Sequence, residues 1–376
     1  MQPIYFDNAA TTALDPRVLE KMKAHMDKEF GNPSSIYSIG RQARLDVEEA
    51  RKSIAHSLSA KAAEVFFTSG GTESTNTALF GIVRDLGVKN IISSPIEHHA
   101  SLHCLEALES YHGVQLHWVE HLPNGNVDLV HLEALLKAQN GNACVSLMSA
   151  NNETGNLLDL ERVSSLCTQH EVLFHSDMVQ AVGHYKIDLS KINVDFASIS
   201  GHKFHGPKGS GVLYIKSGNK IKPLIAGGSQ ERNQRAGTEN VTGIIGIAAA
   251  LELALESLEE DAQYIQSLKT YAIEKFTSDI DDVSFNGDMQ GPSLYTVLSV
   301  SLPKNSKTEM LQMHLDMQGI CVSGGSACSS GALGGSHVIN HLRTDEQVPL
   351  RISFCKKNTQ KELDVLLSTI KTFLQS

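Results

Sequence analysis

The chain has 376 residues and a formal net charge of -10, with 41% hydrophobic and 20% charged residues. This length admits two domains, or one large domain with an appendage, and the composition is that of an ordinary folded protein. The acidic balance argues against a general nucleic-acid binder, whose footprint is a basic patch; acidity of this size serves solubility.

From about residue 60 to 215, short apolar runs alternate with helical patterns. "EVFFTSG" (64–70) reads as a strand, followed by a helix from about Thr72 to Leu86. "KNIISSPI" (89–96) is a strand and "HASLHCLEALES" (99–110) a helix. "VQLHWVE", "ACVSLMSA", "VLFHSD", "DFASIS" and "GVLYIK" are further strands, several separated by helices such as "DLVHLEALLK" and "RVSSLCTQH". Such alternation implies an α/β fold with a mostly parallel wound sheet, whose ligands sit at the carboxyl ends of the strands. Residues 243–257 read as a long helix that bridges to a second domain. Shorter strands follow, "QGICVS" and "VPLRISF" among them, and then the closing helix "QKELDVLLSTIKTFL".

The six cysteines stand far apart and form no CxxC pair, the pattern of a reduced intracellular protein. "MQPIYFDNAATT" lacks the basic start and apolar core of a signal peptide. No apolar run approaches the ~20 residues of a membrane span. A cytoplasmic protein that engages neither membrane nor nucleic acid is the expectation.

Several motifs carry chemistry. "TSGGTES" (68–74) leaves a strand and opens a helix, so its first-turn N–H groups face whatever sits there: a phosphate site, or else only a capped turn. Neither a Gly-Lys-Ser/Thr nor a GxGxxG pattern is present. "SISGHKFHGPKGSG" (198–211) places Lys203 at a strand end, where a desolvated amine can trap a carbonyl. Lys208, among turn residues, is its rival, and either is a surface cation by default. Asp177, in "FHSDMVQAVG" (174–183), ends an apolar strand as a helix cap or as the partner of a pyridinium nitrogen. A phosphate seat, a carbonyl-trapping lysine and an acid at strand ends of one α/β unit together fit pyridoxal phosphate.

His99 and His103, in "PIEHHASLHC" (95–104), share a helix face, yet no HExxH glutamate accompanies them, so no metal is expected. His98, directly after the strand, is better placed over a planar cofactor as a proton shuttle. Arg351, in "VPLRISF", needs a carboxylate partner, either a substrate's or a structural Asp or Glu. "VSGGSACSSGALGG" (322–335) holds Cys328 among small residues that cannot build a core.

The set "FDNAATT", "FGNPSSIYSIGRQAR", "TSGGTES", "EHHA", "NNETG", "HSDMVQ", "SGHKFHGPKGSG", "GGSQERNQRAGTEN" and "SGGSACSSG" resembles the group I cysteine desulfurases of the NifS/IscS type. These are fold type I pyridoxal-phosphate enzymes of the class V aminotransferase superfamily, and the match runs in family order from about Ile4 to Phe354. The resemblance implies that Lys203 binds pyridoxal 5'-phosphate covalently, Asp177 bonds the pyridine nitrogen, Gln180 the phenolic oxygen, and His98 stacks on the ring. Thr72, with Gly71, Ser200 and His202, would hold the phosphate, and Thr238 would reach the partner subunit's phosphate in a homodimer. Asn152, beside the cofactor, and Arg351 would receive the substrate carboxylate.

Cys328 would then be the nucleophile that takes sulfur from L-cysteine as a persulfide, leaving alanine. Its loop, about 323–335, would move to hand the sulfur to an acceptor protein such as an iron–sulfur scaffold, or into tRNA thiolation. Cys321 would be dispensable. The family fold implies a large cofactor domain at 16–255, and a small α+β domain from 1–15 and 256–376 that carries the cysteine loop. Two departures stand out: Tyr37 replaces the usual histidine of "NPSSxH", a change of packing, and "SFCKKNT" follows Arg351 beside the carboxylate site. The alternatives are a selenocysteine lyase or other class V enzyme, against which Cys328 speaks, and a non-catalytic sulfur-transfer scaffold, against which the intact Lys203, Asp177, His98 and Cys328 speak.

Overall fold

The computed structural model describes residues 3–139, 141–325, 336–343 and 347–375. In chain order its strands are β1 (Ile4–Tyr5), β2 (Val65–Thr68), β3 (Asn90–Ser93), β4 (Gln115–Trp118), β5 (Ala143–Ser146), β6 (Leu173–Asp177), β7 (Phe196–Ser200), β8 (Gly211–Ile215), β9 (Ser284–Asn286), β10 (Val297–Pro303), β11 (Ile320–Cys321) and β12 (Gln347–Ser353). A seven-stranded sheet runs in the order β2-β8-β7-β6-β5-β3-β4. Every neighbouring pair in it is parallel except those made by β8. The other six strands therefore bring their carboxyl ends to one edge. The fold is the expected α/β type with a mostly parallel sheet. The exception has a simple cause: a parallel return needs a crossover of a dozen or more residues, and the short link from Ser200 to Gly211 holds only a 3-10 turn at Gly201–Lys203.

Strands β2, β5, β7 and β8 are buried along their whole length, as continuous apolar runs are when helices cover both faces. Helix Val241–Glu256, nearly all apolar, lies inside, packed on helices Pro16–Met26 and Ser38–Ser57. Asp15 caps the first of these by accepting the Arg17 N–H, ahead of a proline in the first turn. Helix Ser38–Ser57 was not anticipated, because the face it buries is built from Gly40, Ala43, Ala50 and the charged Arg51 as much as from Val47 and Ile54.

Beyond residue 256, helix Leu258–Asp279 and the closing helix Gln360–Gln375 cover an antiparallel sheet in the order β12-β10-β9. Its core joins Phe6 to Ile265, Phe276, Val300, Ile352 and Leu366. The N-terminal strip enters here: β1 pairs in parallel with β11, and Asp7 bridges to Ser353. The strip then crosses to the carboxyl edge of the large sheet.

"SFCKKNT" folds as a turn that fixes this strip. Asn358 accepts from the Asn8 side chain at 3.1 Å and donates to the Tyr5 carbonyl at 2.8 Å. It therefore acts on the strip and does not line the cleft described below. Tyr37 is 55% exposed and immediately precedes helix Ser38–Ser57.

Candidate active site

Along the carboxyl edge lies a cleft with about 230 Å³ of accessible space, and ten of the residues singled out in the sequence line it. They arrive from different strands. Gly71 and Thr72 follow β2, His98 follows β3, Asn152 follows β5, Asp177 and Gln180 lie at the end of β6, Ser200 ends β7, and His202 and Lys203 follow it. Arg351 comes from β12 in the other sheet.

One end of the cleft suits an anion. Helix Gly71–Leu86 is 16 residues long, and no side chain caps its N-terminus, so its first N–H groups are left for a ligand. The approach is tight: a Cβ on Gly71 would lie 2.7 Å from Val179 Cγ2, and one on Gly211 would lie 2.5 Å from the Gly70 Cα. His202 faces Thr11 at 3.1 Å between Nδ1 and Oγ1. Burial, with Lys203 and Lys208 nearby, lowers its pKa to about 4, so it stands neutral at neutral pH.

The other groups are buried titratable side chains. Asp177 accepts the Val179 N–H at 2.9 Å. Burial pushes its pKa up to about 6, against the opposing pull of that hydrogen bond and of Lys203. His98 accepts the Ala100 N–H on Nδ1 at 3.1 Å and so caps helix His99–His112. When neutral its proton is consequently on Nε2. Burial lowers its pKa to about 4, with Lys203 adding to the effect.

Lys203 Nζ donates to the carbonyls of Ala9 at 2.6 Å and Ala10 at 2.8 Å, and Gln180 donates to the same Ala9 carbonyl at 3.0 Å. The Arg351 guanidinium is buried and donates to Asp7 at 2.7 Å and to the Asn152 carbonyl at 2.9 Å. A structural aspartate is thus one partner of this arginine.

Other expectations fall elsewhere. Thr238 is exposed and does not line the cleft of its own chain, and Lys208 is exposed outside it. His99 and His103 stack with ring centroids 4.9 Å apart, yet among the described residues no three His, Cys, Asp or Glu converge as a metal site. Cys328 lies outside the described residues. The ends of its segment are described, however: a Cβ on Gly325 would lie 3.0 Å from Ser336 Cβ and 3.1 Å from the Glu153 carboxylate. Ser336 in turn donates to that carboxylate. Ser323 exchanges backbone hydrogen bonds with Arg351. The segment therefore starts and ends next to Asn152, Glu153 and Arg351.

Sequence reasoning gave no role to Asp7, Ala9 or Ala10, although "FDNAATT" contained them. A carbonyl acceptor leaves no mark in residue type. It also missed Glu97, whose Oε1 accepts the Met148 N–H at 2.7 Å. Burial raises that carboxyl well above the usual range.

An uncapped helix start, a lysine amine and a buried carboxyl around one cleft, at the carboxyl edge of an α/β sheet, form the arrangement of an enzyme's active site. Residues 4–366 match the aminotransferase class-V family. The cysteine desulfurase IscS of Dictyoglomus turgidum is 39% identical, with 99% of this chain and 94% of that protein covered. Among solved structures, a NifS-like protein superposes with a TM-score of 0.91 at 38% identity over 100% of both chains. SspA in complex with cysteine gives 0.81 at 28% identity, covering 95% of this chain and 100% of that one. The chain belongs to the aminotransferase class-V family and, within it, to the cysteine desulfurases.

Proposed function

We propose that this enzyme uses pyridoxal 5'-phosphate to take sulfur from L-cysteine, releasing L-alanine and leaving a persulfide on Cys328. The cleft residues fit this cofactor. The uncapped helix start, with Thr72, Ser200 and His202, suits its phosphate, and Asp177 is a buried carboxyl that lines the same cleft as Lys203. Lys203 would hold the cofactor, Asp177 its ring nitrogen, Gln180 its phenolic oxygen, and Thr238 would serve the partner's site in a homodimer. Bound there, the cofactor supplies an electron sink for the substrate's α-carbon.

The chain's own residues do the rest. Arg351 and Asn152 receive the substrate carboxylate. Lys203 Nζ and His98 Nε2 hold and move protons; because the His98 Nδ1 is engaged by the Ala100 N–H, the neutral ring offers its Nε2–H as a donor, and Lys203 is the group that takes a proton. Cys328 attacks the substrate sulfur as a thiolate. The new S–S bond forms as the C–S bond breaks, its electron pair passes to the carbon side, and a proton there completes alanine. An unperturbed thiol near 8.5 is only about 3% ionised at pH 7, so the cleft must take the Cys328 proton.

The observation that carries this reading is the anchoring of Ser323 on Arg351 and of Gly325 and Ser336 beside Glu153. Cys328 is three positions beyond Gly325, a reach of roughly 10 to 11 Å. The described cysteines are poor rivals: Cys104, Cys144, Cys167 and Cys355 are buried, and burial raises the Cys321 thiol. The sulfur would pass to an acceptor protein docking close to the cleft, in iron–sulfur assembly or tRNA thiolation. We place the enzyme in the cytoplasm and its domain division at residues 16–255, with the small domain formed by 1–15 and 256–376.

The test is a pulse of L-cysteine, with alanine assayed and persulfides trapped by alkylation and mapped. Label is expected on Cys328. Cys328→Ser should abolish catalytic alanine formation while Cys321→Ser retains it. Label on Cys321, or turnover by the Cys328 variant, contradicts the reading.

A further inference from the structure

Arg351 enters the cleft with its charge already answered. Its side chain is 2% exposed, that of Asp7 is 18% exposed, and Nη2 lies 2.7 Å from Asp7 Oδ1. Nη1 donates to the Asn152 carbonyl at 2.9 Å. Each terminal nitrogen of a guanidinium carries two N–H groups; among the described residues each makes one bond here and the buried Nε makes none, so N–H groups remain for an incoming carboxylate. Asp7 therefore has no need to leave when that carboxylate arrives.

Nor is Asp7 free to leave. Its carbonyl accepts the Tyr5 hydroxyl at 3.0 Å and the Ala10 N–H at 3.0 Å, and its backbone bridges to Ser353. On either side, Tyr5 and Asn8 are tied to Asn358.

We propose that Asp7 is a positioning and specificity residue: a fixed counter-ion that aims Arg351 and tempers its affinity for the substrate carboxylate. The proposal rests on the reading of Arg351 as carboxylate receiver. Two consequences follow from elementary electrostatics. Without the aspartate, the buried guanidinium would lie uncompensated between turnovers, which is costly. With it, an incoming carboxylate meets a like charge on the far side of the guanidinium. A product that keeps the same carboxylate is then released more easily.

The experiment measures competitive inhibition of the holoenzyme by propionate, a carboxylate with neither amine nor thiol, with neutral propionamide as control. Asp7→Asn keeps an oxygen acceptor for Nη2 and removes the charge. The propionate inhibition constant should fall roughly tenfold, as expected for removing a like charge one guanidinium away in a partly solvated site. The KM for L-cysteine should fall with it, and propionamide should be unaffected. Should this variant not fold, Asp7→Ser removes the same charge and is read in the same way.

Unchanged or weaker propionate inhibition in the neutral variant overturns the proposal, as does an equal change for propionamide. Arg351→Gln separates the two readings. Loss of propionate inhibition there, with no gain in Asp7→Asn, leaves the receiver standing and removes the role of Asp7. Propionate inhibition that survives Arg351→Gln removes the receiver, and the proposal with it.

Discussion

Asp177 and His98 titrate in opposite directions for one reason: burial disfavours whichever form of a group is charged. The carboxyl rises to about 6 and the imidazole falls to about 4. A bound pyridinium would reverse the situation for Asp177 by adding an opposite charge to the pull of Lys203, which does not by itself offset burial. Asp177→Ala should therefore fold and lose cofactor affinity. A hydrogen bond to a charged group contributes about 1.5 to 3 kcal/mol, so the dissociation constant for pyridoxal phosphate should rise roughly 10- to 100-fold. Equilibrium dialysis against the cofactor measures this, and an unchanged constant would remove Asp177 from the site. Both residues were legible in the sequence because each directly follows, or ends, an apolar strand, and the carboxyl ends of such strands are where ligands gather. Arg351 was legible as a charge in an apolar strand, but its actual partner was not.

At the scale of elements, an ion pair joins helix Ser38–Ser57 and β2 to the segment that leads to Thr238. Arg51 and Glu231, both buried, are bonded twice at 2.8 Å. Arg51 also donates to the Val65 carbonyl at 2.7 Å, and Glu231 accepts the Phe67 N–H at 2.7 Å. The guanidinium lies over the Phe67 ring, 4.8 Å from its centroid. Around Glu231 the backbone is strained: Glu231, Arg232 and Asn233 have φ values of 45°, 56° and 64°, a left-handed run that L-residues adopt only at a cost. The buried pair holds that run in place. Glu231→Ala leaves the Arg51 charge buried and uncompensated, so stability should fall by about 3 to 5 kcal/mol, read as a lower urea midpoint. A loss below 1 kcal/mol would show that water or the Glu48 carboxylate, already 3.1 Å from Arg51 Nε, takes over. No local pattern announced this element, since "GGSQERNQRAGTEN" reads as a polar loop.

Over the whole molecule, burial sets the response to acid. His98, His121, His184 and His202 are held near 4 and His175 near 3, burial being the first cause in each. An unfolded histidine titrates near 6.5, so below that pH the unfolded chain binds more protons than the fold does. Stability must then fall as pH drops from about 6.5 toward 4. Asp177, Glu97 and Glu239, raised by burial, act the other way by taking up protons in the fold first, but among the described residues they are three groups against seven, since burial lowers His99 and His205 as well. For the cofactor-free protein, the urea midpoint should decline between about pH 6.5 and 5, above the range where ordinary carboxylates titrate. A flat midpoint from pH 7 to 5 would show that these histidines take up protons within the fold.

What is local can be read along the chain: the alternation that makes the wound sheet, the glycines that open helix Gly71–Leu86, and the lysine and acid set at strand ends. Each depends on neighbours a few residues away, and periodicity and turn chemistry encode those directly. Only the tertiary structure decided which distant groups meet. Asp7 and Arg351 are 344 positions apart, and the carbonyls of Ala9 and Ala10 reach Lys203 across 194 and 193 positions. Such pairings arise when β1 joins β11 and the strip turns onto the large sheet, a choice made by two packed cores and encoded in no single stretch of residues.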